Sequence, residues 1–269
     1  MIFFRQKISL IKQTLFLATL PLLSLFGTQL LSPYYMNILI SFMVILLSLL
    51  PVLIAFDKIS EQLYPFAIMS MAIALLYSTS LNSPYLRGTD IHQEYYFANL
   101  VLTNSNWNST VPHTYNSMLS VVMVAPILTI VTGMPLIWVF KIFYPLLFSL
   151  VPVILFQIFK RQTAARSAFF AVFFLVSVFS FYTEMVGLAR QQIGEIFLVI
   201  IVLLMILKPV ICGLKKSLLL MIFGTLLVMS HYALACIFIG LAIFVLFYQH
   251  FQNLLSSLKS NLLKRLHVT

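Results

Sequence analysis

Long apolar runs separated by short polar stretches make up most of this chain. Runs at 14–31, 36–56, 64–81, 136–159, 167–183 and 193–207 have lengths suited to crossing a bilayer, the last as a short helix. A further run, 217–249, is too long for one crossing and breaks at Ser230-His231-Tyr232, which predicts a hairpin of 217–230 and 232–249. The pattern therefore predicts an all-α fold, a polytopic transmembrane helical bundle of about eight spans. It divides into a membrane hairpin over 1–63, a membrane core over 64–249 with an extracytoplasmic juxtamembrane loop at 82–135, and a basic tail over 250–269.

One shorter apolar stretch, Leu119 to Thr132, decides the topology. If it lies along the outer surface, all basic residues except Arg87, Lys141 and Arg190 fall on the cytoplasmic side, which is 13 of 16. If it crosses, 10 of the 16 fall outside. Cytoplasmic loops carry the excess of Lys and Arg, so the first arrangement is preferred. Pro126 and the polar Asn116, Ser117, Ser120, Thr129 and Thr132 also fit an interfacial helix. Both termini are then cytoplasmic, in a multi-pass protein of the cell membrane.

Composition agrees with this reading. Of 269 residues 62% are hydrophobic and only 8% are charged, with mean hydropathy +1.06. A soluble domain of this size exposes too much surface for so few polar residues, so the bilayer is the partner this composition fits. The net charge of +10 sits in short clusters between apolar runs, where it reads as a topology signal and not as a nucleic-acid surface. Arg5, Lys7 and Lys12 precede the run from Thr14 as in a signal sequence, but the chain lacks a clear small-residue cleavage site and reads as a retained first span. Cys212 and Cys236 form neither a disulfide framework nor a metal-type spacing.

With only six acids, their placement is informative. Asp57 and Glu61 share a short turn with Lys58 and read as a solvated loop. Asp90, Glu94, Glu184 and Glu195 fall outside or at the outer membrane edge, together with His92, His113 and His231. In the loop from Asn82 to Asn116, Gly88 makes a turn and Thr89 or Asp90 caps a helix. Asp90 and Glu94 share a face of that helix, where mutual repulsion raises one pKa towards general-base use, or where the two share a divalent cation. A capping aspartate on a solvated amphipathic helix is the equally weighted alternative. His92 points away from both, which disfavours a three-ligand metal site. Tyr95, Tyr96, Phe97 and Trp107 read as an interfacial aromatic belt, and Asn108-Ser109-Thr110 is a glycosylation sequon.

A second polar constellation is Glu184, Arg190, Gln191, Gln192 and Glu195, in which Gln191 and Glu195 share a helical face. Arg190 is suited to bidentate phosphate binding, or equally to a salt bridge with a neighbouring glutamate that staples the helix top. His231-Tyr232 at the hairpin tip is a third polar point, on the same side as Asp90.

The order of these parts resembles the GT-C class of membrane glycosyltransferases, which use polyprenyl-phosphate-linked sugar donors. The nearest likeness is to a group of archaeal multi-pass proteins related to that class. It is carried by Thr89-Asp90-Ile91-His92, Glu94-Tyr95-Tyr96-Phe97, Phe140-Lys141-Ile142, Tyr182-Thr183-Glu184, Ala189-Arg190-Gln191-Gln192 and Ser230-His231-Tyr232, within about Tyr64 to Tyr248. The resemblance implies sugar transfer at the outer face of the membrane. Asp90 becomes the base that activates an acceptor hydroxyl, directly or with a metal, and Glu94 a neighbour that tunes it. It further implies Arg190 for the donor phosphate, with His92, Gln191, Glu195, His231 and Tyr232 on the substrate side. The chain departs from that class in having fewer spans and no C-terminal soluble domain, as a shortened member would. The competing readings are a transporter subunit and a non-catalytic membrane protein. Clustering of ionisable groups at one membrane edge and the lack of an internal repeat disfavour the transporter.

Overall fold

The computed structural model describes residues 2–30, 37–207 and 213–266. Lys208 and Cys212 lie outside the described residues, as do the side chains of Arg5, Lys7, Lys259, Lys264 and Arg265. Helices form the whole of the described regular structure, with no strand among the described residues. In chain order they are α1 (Ile2–Gln29), α2 (Ile38–Ala55), α3 (Tyr64–Ser80), α4 (Asp90–Asn104), α5 (Leu119–Thr132, broken at Met123), α6 (Leu136–Lys160), α7 (Ala165–Ser177), α8 (Ala189–Ile206), α9 (Leu214–Ser230) and α10 (Tyr232–Leu266).

Six of these are long and apolar enough to cross a membrane: Leu10–Gln29 of α1, α2, α3 with its lead-in from Glu61, α6, α8, and Tyr232–Asn253 of α10. A seventh is reached if α7 and the segment Phe179–Gly187, bent from it by 67°, count as one broken span. α9 has 17 residues and α5 is shorter still. Phe42, Ile45, Phe174 and Met221 stand exposed on the outer faces of these helices, where lipid but not water would be a good solvent.

The chain divides into two units, one ending at His231 and the other beginning at Tyr232. The second is the single helix α10, whose apolar Ile243, Phe244 and Phe247 are exposed. In the first unit one apolar core joins α1, α2, α3, the second half of α6, and α7 through Leu20, Met43, Ile68, Phe156 and Phe169. A second core joins α4 and α5 to the start of α6 and α8 through Ile91, Val121, Phe140, Tyr144 and Ile193. This second core holds α4 against the N-terminal end of α8.

Two local devices set the approach of the chain to α4. Within α6 the turn Val139–Phe143 is a π-helix, whose wider turn with i→i+5 bonding frees backbone carbonyls. The hydroxyls of Ser80 and Tyr77 on α3 donate to the carbonyls of Lys141 (2.9 Å) and Ile142 (3.2 Å). Lys141 itself is buried, and its ammonium donates to the carbonyls of Ser83 and, at 3.3 Å, Tyr85. The loop after α3 is thereby tied down before it reaches Gly88. There φ is +113°, and a Cβ would stand 2.9 Å from the Cα of Gly187. Only a glycine pair lets the two backbones cross this closely, and the crossing delivers Asp90 beside Ala189 and Arg190.

Candidate functional site

α4 begins at Asp90, as the Gly88-Thr89 turn predicts, although the Thr89 side chain caps no backbone amide and its hydroxyl instead faces the Asp90 carboxylate at 3.4 Å. Asp90 and Glu94 stand one turn apart on a common face, and that face meets the first turn of α8. Arg190 lies between them: its Nη2 donates to Asp90 Oδ2 at 2.7 Å, and its Nε stands 3.6 Å from Glu94 Oε1. The second distance is an ion pair and not a hydrogen bond. Glu94 also accepts the backbone amides of Ala189 (2.8 Å) and Arg190 (3.4 Å). These amides begin α8 and have no partner inside their own helix, so a carboxylate from a different helix caps them and meets the positive end of the α8 dipole.

Arg190 thus makes its salt bridge across to α4 and not to Glu184 or Glu195 of its own constellation. Glu184 is exposed at the turn before α8, while the Gln191 amide donates to Glu195 at 2.9 Å, as their i,i+4 spacing predicts. Gln192 is fully buried and its amide donates to the Met185 carbonyl, which fixes the turn that Gly88 crosses.

Burial ranks the two carboxylates. Glu94 is 0% exposed, whereas the Asp90 side chain is 32% exposed. Burial raises the Glu94 pKa from 4.5 to about 7, against the pull of Arg190 and of the two backbone amides. Repulsion by Asp90, the cause expected from spacing, is the smallest contribution.

Two further groups enter the cluster. The Arg190 guanidinium lies over the Tyr115 ring at 4.1 Å, and the Tyr115 hydroxyl faces Asp90. Burial, and after it the neighbouring Asp90 carboxylate, push the Tyr115 phenol up. His231, at the C-terminal end of α9, is half-buried; burial lowers its pKa and the nearby Arg190 lowers it further, with Asp90 opposing. Asp90, Glu94 and Arg190, expected from the sequence, therefore come together, Tyr115 joins them, and His231 lies within the field of Arg190 and Asp90. Nothing in the sequence singles out Tyr115, since its segment shows neither a motif nor a periodic pattern.

Other residues behave differently. His92 is exposed, half a helical turn away from Asp90. Tyr232 opens the second unit. Of the aromatic residues expected to form a surface belt, Tyr95 packs on Phe140 (5.9 Å between centroids), Phe97 is buried against His113, and the Trp107 indole donates to the Asn116 carbonyl at 3.1 Å. Tyr96 alone of the four is exposed.

A divalent cation does not fit this donor set. The two carboxylates already face one guanidinium within 4 Å, and the described residues contain no group of three His, Cys, Asp or Glu side chains placed to hold a metal. Compared with protein-family models, curated proteins and solved structures, the chain matches none.

Proposed function

We propose that this chain is a GT-C-type membrane glycosyltransferase, or a shortened relative of one, that moves a sugar from a polyprenyl-phosphate donor to an acceptor at the outer face of the membrane. The observation that carries the reading is Asp90: a partly exposed carboxylate in an otherwise buried polar cluster, at one end of a bundle of membrane-length helices. In the proposed arrangement both termini are cytoplasmic, with the bent segment after α7 and the short α9 completing eight crossings.

The roles divide by exposure. Asp90 takes the acceptor hydroxyl proton as the acceptor oxygen bonds to the anomeric carbon. The bond from that carbon to the phosphate oxygen breaks, its electron pair leaves with the polyprenyl phosphate, and configuration inverts. Glu94 has no exposed surface and acts through Arg190 and the α8 N-terminus, so it is a positioning residue. Arg190 offers its guanidinium to the donor phosphate in exchange for Asp90, which frees the Asp90 carboxylate for the proton. A groove of about 450 Å³ along the far half of α4, lined by Leu102, Trp107, Pro126, Ile127 and Ile130, suits the isoprenoid chain.

A non-catalytic role is the second reading. It is favoured by the charge pairing within the cluster, in which Arg190 and the α8 amides already face carboxylate partners. Membranes containing the protein, supplied with radiolabelled polyprenyl-phosphate sugar, decide between the two. The enzyme reading expects transfer that Asp90→Asn removes; equal transfer by the variant overturns it. Thiol labelling of Asn104→Cys from outside, with Gln162→Cys protected, is the expected topology, and labelling of Gln162→Cys from outside contradicts it.

A further inference from the structure

We propose that Tyr115 is a positioning residue that fixes the Asp90 carboxylate and the Arg190 guanidinium in one mutual orientation, which deepens and rests on the reading of Asp90 as the reactive acid. The contacts form a closed ring. Starting on α4, Phe97 stacks on His113 (4.5 Å between centroids, 27° between planes), and His113 stacks on Tyr115 (5.4 Å, 21°). Tyr115 lies under Arg190 at 4.1 Å, and Arg190 donates to Asp90 at 2.7 Å. Asp90 and Phe97 are seven residues apart on α4, hence on the same face, so the stack leaves that helix and returns to it.

The segment that carries Tyr115 is stiffened from within. Asn116 is buried, and its amide donates to the carbonyls of Asn108 (2.8 Å) and Val111 (3.2 Å) while its own carbonyl accepts the Trp107 indole. His113 Nδ1 accepts the Tyr115 backbone amide at 3.2 Å, which sets the two rings parallel. A tyrosine so held turns its hydroxyl towards one partner and a fixed π-face to the other. Asp90 alone has many rotamers open to it; with Arg190 held flat on the Tyr115 ring and its Nη2 as donor, the carboxylate is held in one orientation.

Asp57 and Asp90 are the chain's two aspartates, so labelling aspartate with ¹³C at the carboxyl carbon gives two signals, one at each end of α3. The experiment compares full-length protein in lipid nanodiscs with Tyr115→Phe, which keeps the ring and its stacking. The expected result is movement of the Asp90 signal by more than its line width with the Asp57 signal unmoved. An unmoved Asp90 signal in the folded variant overturns the proposal, and so does equal movement of both. Should Tyr115→Phe not fold, Phe97→Leu loosens the same stack from the other end, with the same readings. This test is independent of sugar transfer: a moved Asp90 signal in a protein without transfer activity leaves the positioning role standing and removes the enzyme reading. Where transfer is observed, Tyr115→Phe lowers kcat by about tenfold with KM little changed.

Discussion

The two ends of α3 are both tied by ion pairs between distant loops, and water separates their consequences. At the Tyr64 end Lys160 pairs with Glu61 at 2.7 Å and Arg166 pairs with Asp57, with side chains 41% to 74% exposed. At the Ser80 end Arg190, 14% exposed, is held between Asp90 and the fully buried Glu94. Distances and chemistry are alike. The first end is bathed in high dielectric, where attraction is screened and ordering two long side chains offsets much of what remains. The second has given up hydration, so removing one partner strands the others. Asp57 and Glu61, read from the sequence as part of a solvated loop, are paired while remaining solvated.

Removing the buried cation breaks the comparison most severely. At pH 8, where Glu94 is ionised, Arg190→Met leaves it without its counter-charge and is expected to destabilise the first unit by about 3–5 kcal/mol, read by denaturant or thermal unfolding in detergent. Adding Glu94→Gln should return part of that loss. The next effect is a pH dependence confined to the buried end. The folded-state pKa of Glu94 is raised from 4.5 to about 7, so the native state holds this proton more tightly than the unfolded chain. The contribution is fully present below 4.5 and is lost as pH rises through about 7. Unfolding measured across that window should show stability falling with pH in the wild type and a flatter profile in Glu94→Gln.

A smaller effect tests how the buried end is assembled. In Gly187→Ala the added Cβ would stand 3.0 Å from the Arg87 carbonyl and 3.2 Å from the Gly88 Cα. The loop must shift, at about 1–3 kcal/mol in unfolding experiments, and the Arg190–Asp90 pair should lengthen with it. Smallest of all, Glu61→Gln at the solvated end should change stability by less than about 1 kcal/mol, and less again in high salt.

Much of the buried end is legible along the chain. The glycine turn, the start of α4 at Asp90, the common face of Asp90 and Glu94, and the Gln191–Glu195 bond all follow from spacing within a few residues. What escapes that reading depends on contacts between segments about a hundred residues apart. The Arg190–Asp90 pair, the Glu94 cap on α8 and the Gly88–Gly187 crossing are of this kind. The second core sets them when it brings α4 onto α8, and no local pattern records that docking. Lys141 teaches the same lesson. Its charge counts as an outside residue in sequence, yet the π-turn buries it under loop carbonyls. Glu94 shows how a correct spacing can suggest the wrong cause, since burial and not its neighbour raises it.

The claim that burial, and not pairing as such, distinguishes the two ends is tested most directly by two double-mutant cycles run in the same detergent at pH 8, where Glu94 is ionised. One combines Glu94→Gln with Arg190→Met, the other Glu61→Gln with Lys160→Met. The expected coupling is about 2 kcal/mol or more at the buried end and below about 0.5 kcal/mol at the solvated end. Equal couplings, or a larger one for Glu61 and Lys160, would contradict the account.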